Sequence, residues 1–197
     1  LAPLAPPPLP YNEVRIDPDR LRELGLAGAN DRRSRLAEEM RLLKRRLIQK
    51  MNPLASEAEG RTNLILVTSA VPGEGKSFIS LNLALSFVAD EHFDVLLIDA
   101  DAMRPKILTM LGLPPSRGLA DLLMHPEMDP SEVLLHDPDL RLTILPPGGE
   151  VSSATDLYGG PHMKDLVKRL GRAKPNRIVI LDAPPVLATT EPIMLAQ

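Results

Sequence analysis

The stretch that decides the fold is LILVTSAVPGEGKS, which occupies residues 64–77. Its first part, residues 64–68, is a short continuous apolar run, as expected of a parallel strand that is buried on both faces. A glycine-rich segment follows and leads into an apolar helical pattern over residues 78–89. A glycine-rich segment between a buried strand and a helix is the location that a phosphate-binding loop requires.

Each residue type in this loop suits the binding of an anion. Gly73 and Gly75 let the backbone approach a phosphate closely, and the N-terminus of the following helix adds its positive end. We expect Lys76 to reach the β- and γ-phosphates of a nucleotide, and Ser77 to ligate Mg²⁺. Ala70 replaces the first glycine of the usual G-x4-G-K-[ST] pattern, but the location still favours nucleotide binding. The predicted nucleotide-binding residues are Pro72, Gly73, Glu74, Gly75, Lys76, Ser77 and Phe78.

Acidic residues follow two other apolar runs. Asp99 and Asp101 come after the run at residues 96–98, and Asp182 ends the run at residues 178–181. Ligands of open α/β sheets bind at the carboxyl ends of the strands, so these acids should converge on the loop. A single aspartate there could merely cap a turn, whereas three favour metal and general-base chemistry. We predict that Lys76, Asp99, Asp101 and Asp182 are catalytic and that Ser77, Asp99 and Asp182 hold the metal.

Strand and helix patterns alternate along the rest of the chain. Further strands are predicted at residues 94–98, 140–145 and 177–181, with helices at residues 119–124 and ending at residues 165–170. This alternation predicts an α/β fold of the P-loop NTPase type, with a mainly parallel sheet flanked by helices. A helical pattern only begins at residues 191–197, so we expect the fold to be incomplete at the C-terminus.

The N-terminal third has a different composition. Five of the first ten residues are proline, which predicts a linker or tail over residues 1–30, with a ligand for a proline-reading module as the alternative. Eight basic and three acidic residues give residues 31–50 a net charge of +5. Apolar residues recur there at helical spacing: Leu36, Met40, Leu43, Leu47 and Met51. We predict a basic helix and joint over residues 31–60, which is either a solvated face or a contact with a membrane surface or partner.

Composition excludes several classes of protein. The chain has 197 residues, of which 44% are hydrophobic, so wholesale disorder is excluded. Without cysteine it can form neither a disulfide framework nor a zinc-thiolate site. The net charge of −3 and the 3% of aromatic residues argue against a general nucleic-acid binder. No apolar run is long enough to span a bilayer, and no signal peptide is predicted.

The motifs resemble those of the bacterial tyrosine kinases (BY-kinases), which are P-loop proteins of the MinD/ParA-like superfamily. SAVPGEGKS (residues 69–77), LLIDADAMRP (96–105) and IVILDAPPV (178–186) are similar to that family's Walker A, Walker A′ and Walker B motifs. LAEEMRLLKRRL (36–47) and GLADLL (118–123) are similar to the autokinases that are encoded with exosortase-type exopolysaccharide loci.

This resemblance implies an ATP- and Mg²⁺-dependent protein-tyrosine autokinase that controls exopolysaccharide polymerisation or export. Residues 61–197 would be its incomplete kinase domain. The acids matching Asp99 and Asp101 would organise the metal and activate the tyrosine hydroxyl, and Asp182 would support Mg²⁺. The family phosphorylates a C-terminal tyrosine cluster, whereas this chain has only Tyr11 and Tyr158. A separate membrane chain-length-determinant protein would activate the kinase and hold it, in the cytoplasm, at the inner membrane.

The resemblance also implies a homo-oligomeric ring. BY-kinases carry an E-x2-R-x2-R element that joins neighbouring subunits, and Glu38, Arg41 and Lys44 match it with lysine in the last position. Arg45 lies one place out of register. Lysine lacks the bidentate fork of arginine, so a weaker contact is expected, and an ordinary solvated face is the alternative.

Two other functions compete with the autokinase. A regulatory ATPase of the ParA/MinD type would have no kinase activity, but those proteins carry a second lysine, in a KGGxGK pattern, where this chain has Val71. A non-catalytic interaction module is the third possibility. It is disfavoured because Lys76, Ser77 and the three predicted catalytic aspartates are all present.

Overall fold

The computed structural model describes residues 11–26, 34–51, 63–149, 157–158 and 160–187. Its strands are β1 (Asn12–Glu13), β2 (Leu64–Val67), β3 (Asp94–Asp99), β4 (Leu135–Asp137), β5 (Leu142–Leu145) and β6 (Arg177–Asp182). Its helices are α1 (Pro18–Glu23), α2 (Arg35–Lys50), α3 (Lys76–Val88), α4 (Ile107–Leu111), α5 (Leu119–Met124) and α6 (Pro161–Arg172), with a 3₁₀ turn at Pro130–Glu132.

The strands form one sheet in the order β1-β4-β5-β3-β6-β2. Every neighbouring pair is parallel except β4 and β5, which are antiparallel. Strand β6 lies between β2 and β3, and its last residue, Asp182, is in register with Val67 and with Asp99. The carboxyl ends of β2, β6 and β3 therefore meet at one edge, and the predicted mainly parallel α/β fold is confirmed.

Both faces of the sheet are covered, as the continuous apolar runs predict. Along β3, Val95 and Leu97 pack into a core cluster that includes residues of α1, α3 and α4. Leu96 and Ile98 point to the other face and pack into a second cluster that includes residues of α5 and α6. Because every residue of β6 is buried, the strands that carry the predicted aspartates are held rigidly from both sides.

The folded domain includes part of the predicted linker. Strand β1 pairs with β4, and Ile16, Leu21 and Leu26 are buried in the core. The boundary predicted at residue 30 is therefore wrong for residues 11–26, which are held by tertiary pairing that local composition does not reveal. The proline run at residues 1–10 and the helical pattern at residues 191–197 lie outside the described residues.

Helix α2 is the predicted amphipathic helix. The Ser34 hydroxyl accepts a hydrogen bond from the Ala37 amide at 3.2 Å and caps its N-terminus. The helix packs against α3, with Ala37 and Met40 buried and a partly buried stripe at Leu43, Leu47, Ile48 and Met51. Among the residues that the structure describes, no helix combines the length and apolar character needed to cross a bilayer.

Candidate nucleotide-binding site

The predicted phosphate-binding loop connects the carboxyl end of β2 to the first turn of α3. Gly73 and Gly75 have φ angles of 91° and 87°, in the left-handed region that glycine adopts without strain. Gly75 is the N-cap of α3, and no side chain caps that helix end. The first amide groups of α3 are therefore available to an anion, as a phosphate site requires.

Glu74 does not point into the site. Its Oε2 atom accepts hydrogen bonds from the Ala70 amide at 2.8 Å and from the Val71 amide at 3.1 Å. The carboxylate thus braces the first half of the loop, where Ala70 replaces the usual glycine. Because the Glu74 side chain is occupied by the loop's own backbone, only its backbone amide is left to bind the nucleotide, and its predicted role stays a prediction.

A cavity of about 420 Å³ lies in front of the loop. Its volume lies within the range of small-molecule sites, roughly 300–1,000 Å³. The loop and α3 line it with Pro72, Gly73, Gly75, Lys76, Ser77 and Phe78. The segments after β3, in α4 and after β6 add Asp101, Met103, Arg104, Lys106, Met110, Pro184 and Pro185. Every predicted nucleotide-binding residue except Glu74 therefore lies on one cavity wall.

Lys76 and Asp101 form an ion pair inside this cavity. The Lys76 Nζ atom lies 2.6 Å from Asp101 Oδ2, and the two side chains are only 10% and 4% exposed. The other oxygen, Asp101 Oδ1, accepts a hydrogen bond from the Arg104 amide at 3.0 Å. The structure thus brings together two residues to which the sequence assigned separate roles, one on the phosphates and one on the acceptor hydroxyl.

Asp182 and Ser77 supply the oxygens for a cation. Ser80 Oγ donates a hydrogen bond to Asp182 Oδ1 at 3.1 Å, and the nearby Ser77 hydroxyl favours the charged form of the Asp182 carboxylate. Asp182 Oδ2 is buried and has no hydrogen-bond partner in the described part of the chain. Burial raises the pKa of Asp182, which a bound cation would reverse. Ser80 was missed, although its position one turn after Ser77 places it on the same helix face.

This donor set fits Mg²⁺. Magnesium is usually held by one or two protein oxygens together with substrate phosphates and water, rather than by a complete protein cage. In the described ranges, no group of three or more histidines or acids could hold a metal by itself. The buried, unpartnered oxygen of Asp182 beside the Ser77 hydroxyl matches that requirement.

The Asp99 carboxylate binds backbone amides of the segment that follows β3. Its Oδ1 atom accepts from the Asp101 amide at 3.2 Å, and its Oδ2 atom accepts from the amides of Lys106 at 3.2 Å and Ile107 at 3.1 Å. Burial and the neighbouring charge of Asp182 raise the pKa of Asp99 to about 7. Asp99 therefore holds the backbone of the segment after β3, and its predicted role as a metal ligand stays a prediction.

Helix α2 does not contribute to this cavity. Glu38 is exposed and Arg41 is partly exposed, as expected of surface residues. Lys44, in contrast, is only 13% exposed, and its Nζ atom donates to the Ser86 carbonyl at 3.1 Å and lies 3.5 Å from an Asp90 carboxylate oxygen. The charge of Lys44 is therefore used at the end of α3 of its own chain, which does not favour the predicted contact with another subunit.

Several cavity residues were not predicted as site residues. Met103, Arg104, Pro184 and Pro185 lie within the motif stretches at residues 96–105 and 178–186, directly after the predicted aspartates. Their position in the sequence, close to those aspartates, could have identified them as site residues. Lys106 and Met110 lie beyond the motifs, and only the fold brings them to the cavity.

No family model matches the chain. Several curated proteins match the chain. It is 32% identical over 140 residues to the tyrosine-protein kinase ptk of Acinetobacter johnsonii, covering 71% of this chain and 19% of that protein. It is 33% identical over 127 residues to the tyrosine-protein kinase YwqD of Bacillus subtilis, covering 64% of this chain and 52% of YwqD. It is also 32% identical over 119 residues to the succinoglycan biosynthesis transport protein ExoP of Rhizobium meliloti, covering 59% of this chain and 15% of ExoP.

Solved structures show the same fold. The kinase domain of VpsO superposes with a TM-score of 0.70 at 28% sequence identity, covering 91% of this chain and 77% of that domain. The chain spans at most about half the length of these three curated relatives, whereas it covers most of the solved kinase domain.

Proposed function

We propose that this chain, a relative of the bacterial tyrosine kinases, is the nucleotide-binding part of an ATP-dependent protein-tyrosine autokinase. Its kinase relatives confirm the resemblance predicted from the three motifs. The observation that carries the proposal is the Lys76–Asp101 ion pair inside the cavity in front of the phosphate-binding loop, with Asp182 buried at the adjoining end of β6. The activity is proposed for the whole protein, to which the described residues contribute the kinase fold.

The loop and α3 would bind the nucleotide. Backbone amides from Gly73 to Phe78 would surround the phosphates, and Lys76 would turn from Asp101 to the β- and γ-phosphates. Ser77 and Asp182 would hold Mg²⁺, which supplies positive charge against the phosphates when it is bound. Binding of the nucleotide would thus release Asp101 from its ion pair.

Asp101 would then serve as the base for phosphoryl transfer. The hydroxyl oxygen of an acceptor tyrosine attacks the γ-phosphorus of ATP and forms the new P–O bond. The bond between that phosphorus and the bridging oxygen breaks, ADP leaves, and the hydroxyl proton passes to the Asp101 carboxylate. Asp99 would act indirectly, because it positions the backbone on which Asp101 and Lys106 lie.

The biological setting is proposed from the relatives. ExoP is named for succinoglycan biosynthesis and transport, which supports a role for this protein in exopolysaccharide polymerisation or export. We propose that a membrane chain-length-determinant protein activates the kinase and holds it at the cytoplasmic side of the inner membrane.

The autokinase can be separated from a regulatory ATPase by one measurement. The gene product, isolated with its natural partners from its own bacterium, should acquire phosphotyrosine when incubated with Mg-ATP. Phosphate on tyrosine is measured by antibody and by mass spectrometry, and released ADP is measured in the same sample. Release of ADP without any phosphotyrosine would contradict the kinase and support the ATPase of the ParA/MinD type.

The outer face of α2 is the proposed contact between subunits of a homo-oligomeric ring. Glu38 and Arg41 are accessible on this helix, whereas Lys44 is used internally. One exposed ion pair contributes only about 0–1 kcal/mol, but small losses multiply around a closed assembly. The double variant Glu38→Ala/Arg41→Ala should therefore shift the whole protein toward monomer without changing its affinity for ATP.

Lys44→Met is the matched control for that experiment. It should lower the free energy of unfolding in urea by about 1 kcal/mol, because hydrogen bonds at the end of α3 are lost. The mass of the Lys44→Met protein should not change. Light scattering after size-exclusion chromatography measures both variants, and an unchanged mass for the double variant would make this face an ordinary solvated surface.

A further inference from the structure

The segment after β3 forms the outer wall of the cavity. Its backbone is fixed at two points, since Asp101 Oδ1 accepts from the Arg104 amide and Asp99 Oδ2 accepts from the Lys106 amide. Asp101 faces Lys76 with one oxygen and the Arg104 backbone with the other. Met103, Arg104 and Lys106 therefore continue the cavity wall along the chain beyond Asp101, away from its partner in the phosphate-binding loop.

This outer wall carries unbalanced positive charge. Arg104 and Lys106 are exposed, and neither has an ion-pair partner in the described part of the chain. Asp101 is the only acidic residue among the described residues that line the cavity, and it is already paired with Lys76. The loop amides, Lys76 and a cation account for the phosphates of a nucleotide, so two further cations at the cavity mouth are left for another anionic ligand.

The same wall presents an apolar surface. Met103 is 72% exposed although it lies between charged neighbours and lines the cavity. A thioether on a flexible side chain packs favourably against an aromatic ring. A tyrosine whose hydroxyl approaches Asp101 would place its ring within reach of Met103.

We infer that Met103, Arg104 and Lys106 form an acceptor-binding surface that selects a tyrosine flanked by acidic residues on another molecule. This inference rests on the proposed kinase function. Met103 would contact the tyrosine ring, and Arg104 and Lys106 would bind the flanking carboxylates. The charge pairs would set the choice of acceptor and its rate of association more than the chemical step.

Neither tyrosine of these 197 residues, Tyr11 or Tyr158, lies where it could be this acceptor. Tyr158 is only 1% exposed. The Tyr11 hydroxyl accepts a hydrogen bond at 3.3 Å from Arg177, the first residue of β6, whereas Asp182 is the last residue of that strand. Five steps of about 3.3 Å place these two strand ends roughly 16 Å apart.

Peptide binding tests the inference without requiring phosphoryl transfer. Two fluorescein-labelled peptides of equal length carry one tyrosine, flanked by glutamates in the first and by glutamines in the second. Anisotropy is measured with the 197-residue chain, with and without saturating Mg-ADP, which lacks the γ-phosphate that the proposed reaction transfers. The acidic peptide should bind at least tenfold more tightly than the neutral one.

Variants locate the binding surface. Arg104→Gln/Lys106→Gln should weaken binding of the acidic peptide at least tenfold and leave the neutral peptide and Mg-ADP within twofold. Arg45→Gln/Arg46→Gln removes two exposed charges from α2 and should leave the affinity for both peptides unchanged. Met103→Thr should reduce the preference for the tyrosine peptide over one with alanine in its place.

Three results would overturn the inference. Equal affinity for the acidic and neutral peptides would exclude charge selection. An equal loss in the α2 variant would make the attraction a general effect of net charge. Weaker Mg-ADP binding in Arg104→Gln/Lys106→Gln would assign these cations to the nucleotide. Failure of the unaltered chain to bind Mg-ADP would instead contradict the proposed function, while peptide binding without nucleotide would still test the acceptor surface.

Discussion

Replacing Lys76 with methionine should raise the dissociation constant for a fluorescent ADP or ATP analogue at least about 100-fold, because the loss of a charge-assisted phosphate contact on this scale costs about 2.7 kcal/mol. Lys76 is the cation that α3 places directly after the left-handed glycine of the loop. Methionine keeps the length of the side chain but removes its charge. The loop amides alone would then hold the phosphates.

Lys106→Met is the matched control, since it removes a lysine from the same cavity but from the opposite wall. Its nucleotide affinity should stay within twofold of the unaltered chain. Lys76→Met also leaves the buried Asp101 without its partner, which lowers stability by itself. Circular dichroism shows whether the Lys76→Met protein is folded. The double variant Lys76→Met/Asp101→Asn leaves no buried charge unpaired, so it separates unfolding from loss of binding. Nucleotide affinity within twofold of the unaltered chain in a folded Lys76→Met protein would contradict the phosphate-binding loop.

Most of the parallel sheet was predictable because a continuous apolar run in the sequence indicates a buried strand. Strands β2, β3 and β6 are continuous apolar runs, and their observed bounds lie within one residue of those predicted. Strands β3 and β6 are buried on both faces as predicted, whereas β2 ends the described sheet and has only Ile65 buried. Helix α5 was predicted with its observed bounds. Strands β1 and β4 were missed because two or three residues carry no periodicity, and only pairing with neighbouring strands makes them strands.

The identity of the site residues was more predictable than their orientation. The positions of Lys76, Asp101 and Asp182 follow from strand ends that meet at one edge of a parallel sheet. The backbone partners of Glu74 and Asp99 do not, because a side chain's direction depends on which amides are left unpaired nearby. Lys44 shows the same limit: a surface pattern on α2 could not reveal that the end of α3 lies within its reach.

Replacing Asp101 with asparagine should change nucleotide binding and phosphoryl transfer in opposite directions. The dissociation constant for ADP without Mg²⁺ should fall about three- to tenfold, because Asp101 no longer competes with the phosphates for Lys76. Phosphotyrosine formation by the whole protein should fall about 100-fold or more, because the amide cannot accept the proton of the acceptor hydroxyl. Titration of a fluorescent ADP analogue and phosphotyrosine analysis measure the two effects separately.

Tighter ADP binding together with slower phosphoryl transfer distinguishes a base that competes with the phosphates for Lys76 from a residue that only supports the fold. Asparagine can still accept the hydrogen bond from the Arg104 amide, so the segment after β3 should keep its place. Asp139→Asn is the control, because it removes a surface carboxylate paired with Arg15 and should leave ADP affinity and phosphotyrosine unchanged. General destabilisation would weaken ADP binding and transfer together. If Asp101→Asn weakened or did not change ADP binding, the Lys76–Asp101 pair would not be the contact that nucleotide must displace.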